Sequence, residues 1–112
     1  MRALFIAYMT GAAGQSVGLF YIGDGTIAGV DVGGMQYDGK YVEGPDGALD
    51  AVVDYIIPPN TPIISGFVGA AQPAKVTLQL RLPPNFWNGQ VIPVSAPTGQ
   101  VNAKFEKLKE LP

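Results

Sequence analysis

Apolar and polar residues alternate along much of this chain. Met35, Tyr37, Gly39 and Tyr41 are interleaved with Gln36, Asp38, Lys40 and Val42. Leu49, Ala51, Val53, Tyr55 and Ile57 are interleaved with Asp50, Val52, Asp54 and Ile56, and Val76, Leu78, Leu80 and Leu82 with Lys75, Thr77, Gln79 and Arg81. Val101, Ala103 and Phe105 alternate with Asn102, Lys104 and Glu106. A strand turns successive side chains to opposite faces, so a period of two marks a sheet with one face in water. Two segments, 3–9 (ALFIAYM) and 17–22 (VGLFYI), are apolar on both faces, which puts their second face under a cover or in an interface.

Turn-forming clusters separate these runs: TGAAGQ, GDG, VGG, EGPDG, PPNTP, QPA, PPNFWNG and APTG. Glycine supplies positive φ, proline presets the first turn position, and Asn or Asp tolerates the left-handed region. The pattern predicts strands over 3–9, 16–23, 26–32, 35–43, 48–57, 64–69, 75–82, 90–95 and 100–107. Eight or nine short strands at even spacing make an all-β closed barrel or a sandwich. A meander that closes on itself removes exposed edges, which favours an up-and-down antiparallel barrel. The one helical candidate, KLKEL at 107–111, is too short to stand alone. With 112 residues and no linker or repeat, the expectation is a single domain over 1–112.

The glycine-rich stretch 21–44 raises two chemical alternatives. Gly23, Gly25 and Ala28 fit G-x-G-x-x-A, but that fingerprint works through a following helix N-terminus, and Thr26-Ile27-Ala28-Gly29-Val30 has no helical period. Asp24, Asp31 and Asp38 are seven apart, whereas a calcium loop needs carboxylates two apart, so these three are expected on separate connections. Asp24-Gly25 suits a tight hairpin, Val32-Gly33-Gly34 the next turn, and Gly39 a bulge or bend within its strand.

Composition narrows the chemistry. The chain has no cysteine and no histidine, which excludes disulfides, cysteine metal sites and every Ser-His or Cys-His nucleophile. Only 14% of residues are charged, with a formal net of −2, so no basic patch for nucleic acid is expected. Asp50 and Asp54 share one strand face and read as solvating residues rather than an acid–base pair. No cofactor, metal or catalytic residue is expected. The start, MRALFIAYM, has too short an apolar run and too little charge for a secretory signal and reads as a first strand. No stretch reaches the roughly 20 apolar residues of a spanning helix, so the expectation is a cytoplasmic protein with no membrane partner.

The five tyrosines, Tyr8, Tyr21, Tyr37, Tyr41 and Tyr55, all fall in predicted strands. They either pack in the core with satisfied hydroxyls or line a pocket. An eight-stranded barrel is wide enough to be filled by side chains or to hold one small ligand. If it is open, Tyr37, Tyr41, Tyr55, Leu78, Leu80 and Phe105 are the interior ligand-binding candidates. Phe86 and Trp87 fall in a loop, where they plug a barrel end or form a contact patch.

The segment GLFYIGDGTIAGVDVGGMQYDGKYV resembles the GrlR-type family of small bacterial proteins, named for a negative regulator of type III secretion. Gly18, the apolar run 19–22, Asp24, Gly25, Ile27, Gly29, Asp31, Tyr37, Gly39 and Tyr41 carry the likeness, and Val30 stands where a second glycine is common. KVTLQLRL and AKFEKL look like the family's late strands, the latter through Ala103, Phe105 and Leu108. The resemblance implies an eight-stranded, lipocalin-like barrel that forms a homodimer. It also implies a regulator that binds an activator through an acidic loop. Here that loop falls at 43–47, where only Glu43 and Asp46 are acidic, so activator binding is not carried over. The two doubly apolar segments separately favour a homodimer, with Phe5, Ala7, Met9, Phe20 and Ile22 as interface candidates. Two functional readings follow: a non-enzymatic homodimeric module that binds a protein partner, and a carrier of a small apolar ligand.

Overall fold

A computed structural model describes residues 1–66 and 68–112. Eight strands follow one another: β1 (Arg2–Gly11), β2 (Gly14–Gly23), β3 (Thr26–Asp31), β4 (Gln36–Glu43), β5 (Leu49–Ile57), β6 (Ala74–Leu82), β7 (Val91–Ala96) and β8 (Gly99–Glu110). All paired neighbours are antiparallel, and the sheet order β6-β5-β4-β3-β2-β1-β8-β7 is chain order bent into a ring. The result is an up-and-down, lipocalin-like barrel that is nearly closed. Its seam lies between β6 and β7, which approach each other without a ladder. Among the described residues no helix is long and apolar enough to cross a membrane.

The alternating rows set which face turns inward. Leu49, Ala51, Val53, Tyr55 and Ile57 of β5 are all buried, while Asp50 and Val52 between them are exposed. β6 and β8 repeat the pattern with Leu78, Leu80 and Leu82 and with Ala103 and Phe105. β1 and β2 are the strands for which alternation cannot choose a face, and here the expectation needs correcting. Phe5, Ala7, Phe20 and Ile22, proposed for a dimer interface, are buried in the core, and Met9 packs against it. The outward set is Leu4, Ile6, Tyr8, Val17, Leu19 and Tyr21. The larger rings turn inward because they fill the barrel beside the glycines of β2, β3 and β4.

The turns largely follow their chemistry. Gly23 pairs with Thr26 across a two-residue turn in which Asp24 has φ 52° and Gly25 φ 76°, the left-handed pair that matches strand twist in a tight hairpin. Register runs unbroken through Gly39, which pairs with Ile27 and Val53, so there is no bulge at that position. The bulge lies instead where Leu4 and Phe5 face Lys109 and Lys107. It lets β8 continue to Glu110, and the segment 107–111, read as a helical candidate, is mostly strand, because the free edge of β1 offers it a ladder. The predicted strand 64–69 is also corrected. The chain from 58 to 73 carries only a single bridge, Pro62 to Val68, and Phe67 lies outside the described residues.

Antiparallel up-and-down order sends successive connections to opposite ends. The β2–β3, β4–β5 and β6–β7 connections therefore share one end, and the other four the opposite end. The first end is plugged. Phe86 of the β6–β7 connection is 1% exposed, with its ring centroid 5.0 Å from that of Phe5 and 5.3 Å from that of Phe105. Trp87 stands edge-on to Phe86 at 5.0 Å and carries the Lys107 ammonium 4.2 Å above its ring.

Candidate functional site

Above the plug the barrel is not filled. A cavity of about 150 Å³ occupies the other half and opens at its end. Its floor is Phe105, held from below by Phe86. Phe20 lies across Gly29, the residue it faces on β3, and reaches Tyr37 at 5.1 Å between centroids. Tyr37 in turn meets Tyr55 at 6.0 Å. Ile27, Val53, Leu78, Leu80 and Val94 complete the wall. The lining is overwhelmingly apolar, as small-molecule sites usually are.

The β5–β6 connection roofs this end. Ile63, Ile64 and Ser65 line the cavity from above. The roof is tied to the β1–β2 turn by Ala13 N–H, which donates to the Ile64 carbonyl at 2.7 Å. Gly11 makes that approach possible, since a Cβ there would collide with the Ile64 carbonyl group. Within the connection, Asn60 N–H donates to Ala70 O at 2.7 Å and Gly69 N–H to Thr61 O at 2.8 Å.

Polar groups gather at the mouth only. Asp31 ends β3; its Oδ1 accepts from the N–H groups of Gly33 and Met35, at 2.9 and 3.0 Å, and its Oδ2 from the Tyr37 hydroxyl at 2.8 Å. The first two bonds shape the β3–β4 turn, and the third fixes the tyrosine ring against the cavity wall. Burial pushes the Tyr37 hydroxyl far above the usual phenol range, and the Asp31 charge and hydrogen bond push it further. Burial also raises Tyr55, against the opposing effect of its 2.8 Å hydrogen bond with Thr98. Ser16 Oγ and Ser65 Oγ are enclosed, and no described residue bonds either. Both residues line the cavity.

Of the interior candidates, Tyr37, Tyr55, Leu78, Leu80 and Phe105 line the cavity. Tyr41 does not; it packs on the core nearer the plugged end, where its N–H donates to Gly25 O at 3.0 Å. Met9, Phe20 and Ile22, read as interface residues, are cavity lining instead. Ser16, Asp31, Ser65 and Thr98 were not among the candidates. Asp31 had a readable signal, an Asp two residues ahead of a glycine pair, but nothing local marks the serines or Thr98.

The remaining carboxylates lie on the outside. Asp24 sits in its hairpin turn, but Asp38 is in β4 rather than on a connection, opposite Asp54. Asp54 accepts from Thr77 Oγ1 at 2.5 Å and lies 3.3 Å from Lys75, while Asp50 lies 3.6 Å from Arg81. No family model, curated protein or solved structure matches the chain.

Proposed function

We propose that this chain is a non-enzymatic binding module whose barrel holds a small apolar ligand. The cavity carries the reading: about 150 Å³ of apolar space, sealed at one end by Phe86 and open at the other beneath a roof. An apolar cavity of about this size in another protein takes up benzene. The tyrosines support binding rather than catalysis. Tyr37 stays protonated and donates to Asp31, so it is neither base nor nucleophile. The test is titration of ¹⁵N-labelled protein with toluene. Saturable shifts of amides around Tyr37, Tyr55, Leu78 and Phe105 are expected, and Ala103→Leu, which grows a side chain into the cavity, should abolish them. Absence of any shift in the wild type ends the reading.

A homodimer of the GrlR type is the second reading, favoured by the outer face of β1–β3. Leu4 faces Tyr21, Ile6 faces Leu19, and Leu19 faces Val30. Leu19 and Val30 are 45% and 53% exposed, a large apolar surface to leave in water. Charged residues border it, Lys104 and Glu106 on β8 and Asp38 and Lys40 on β4. An apolar centre with a charged rim is the anatomy of a protein interface. Because each rim carries both signs, a second copy can pair its charges there. Sedimentation velocity at micromolar concentration should give a dimer that Leu19→Glu dissociates without unfolding. A monomeric wild type removes this reading.

A further inference from the structure

The mouth of the cavity carries a selectivity that its walls do not, and this inference rests on the ligand-binding reading above. We infer that the ligand is a compact molecule with an apolar body and one neutral hydroxyl head, and that carboxylates are rejected. Three observations combine. The polar lining, Ser16, Asp31, Tyr37, Tyr55, Ser65 and Thr98, lies on connections or strand ends that up-and-down topology brings to one end. A ligand body seated on Phe105 therefore presents its head to this ring.

The ring also has bonding capacity to spare. The Ser16 and Ser65 hydroxyls are enclosed without partners. Each offers one donor and two acceptor positions. Tyr55 and Thr98 share one hydrogen bond, which uses one hydroxyl hydrogen and leaves the other free. A buried hydroxyl without a partner is costly, so a head that both donates and accepts recovers what the fold leaves unmet. A hydrocarbon recovers nothing.

The charge at the mouth has a single sign. Asp31 is the one charged residue among the described lining residues, and no Lys or Arg joins it. A ligand carboxylate would be desolvated beside another carboxylate with no cation to pair it. An ammonium head gains little in return, because Asp31 already accepts three hydrogen bonds. Volume limits the body to about the size of one aromatic ring.

The test compares toluene, benzyl alcohol, benzylamine and benzoate, matched in body and different in head, by NMR titration of the full chain. Benzyl alcohol should bind about tenfold tighter than toluene, the return on one or two neutral hydrogen bonds, and benzoate weaker than either. The Ser16→Ala/Ser65→Ala double variant should bring benzyl alcohol to the affinity of toluene and leave toluene unchanged. A merely structural role for the serines would weaken both together. Equal affinity for toluene and benzyl alcohol, or tighter binding of benzoate or benzylamine, overturns the head-group inference while the binding module stands. Failure of all four to bind overturns the module itself.

Discussion

Replacing Phe86 with alanine should unseat the plug of the barrel. Phe86 belongs to a connection, yet its side chain is 1% exposed and its ring meets three others, Phe5 at 5.0 Å, Trp87 at 5.0 Å and Phe105 at 5.3 Å between centroids. Truncating a buried phenylalanine costs about 3–5 kcal/mol through lost transfer energy and the void left behind. Loss of several aromatic pairings places this site toward the upper half, at about 4 kcal/mol. Native domains of this size hold only about 5–15 kcal/mol in total, so the loss is a large fraction of the whole. Urea unfolding followed by Trp87 fluorescence and far-ultraviolet circular dichroism measures it. The expected result is a lower midpoint at unchanged slope, with the melting temperature down by roughly 15–20 °C. A loss under about 0.5 kcal/mol, typical of a surface position, would show that Phe86 is a loop residue seated against the barrel rather than part of its core.

Other outcomes follow from the mouth and roof. Tyr37→Phe removes the 2.8 Å bond to Asp31 and should cost about 1–2 kcal/mol at neutral pH. Folding raises the ionisation of Tyr37 above its ordinary value of 10.0, so its contribution is complete below pH 10 and declines as pH climbs toward the raised value. Urea midpoints of wild type and Tyr37→Phe should therefore converge above pH 10, and parallel profiles would refute the shift. Gly11→Ala drives a Cβ into the Ile64 carbonyl, and should cost about 1–3 kcal/mol and expose the Ala13 amide to hydrogen exchange. Unchanged protection of that amide would mean that the roof is not anchored there.

Much of the barrel is legible along the chain, and particular residues show why. Tyr55 and Asp54 differ in polarity and are adjacent, so a strand must bury one and wet the other; the burial of β5 follows residue by residue. Asp24-Gly25 can adopt paired positive φ at little cost, which fixes the hairpin between β2 and β3. Phase is lost where both faces are apolar. Phe5 and Leu4, or Phe20 and Leu19, are equally fit for a core, and only closure of the ring, with Phe20 set over Gly29, decides that the aromatic row turns inward.

Contacts distant in sequence decide the rest. The last residues resemble a short helix in isolation and become strand because the edge of β1 lies open to them. Ser16, Asp31, Ser65 and Thr98 belong to four separate segments, and no local pattern signals that they meet. Alternation, turn chemistry and the missing cysteines and histidines are properties of neighbours and of composition, so the sequence alone determined an all-β meander without thiol or imidazole chemistry. Whether the meander's interior would be full or hollow depends on how side chains from opposite walls share one volume. That sum is made only when the ring closes, and here it leaves the upper half open above Phe105 and the plug below it full.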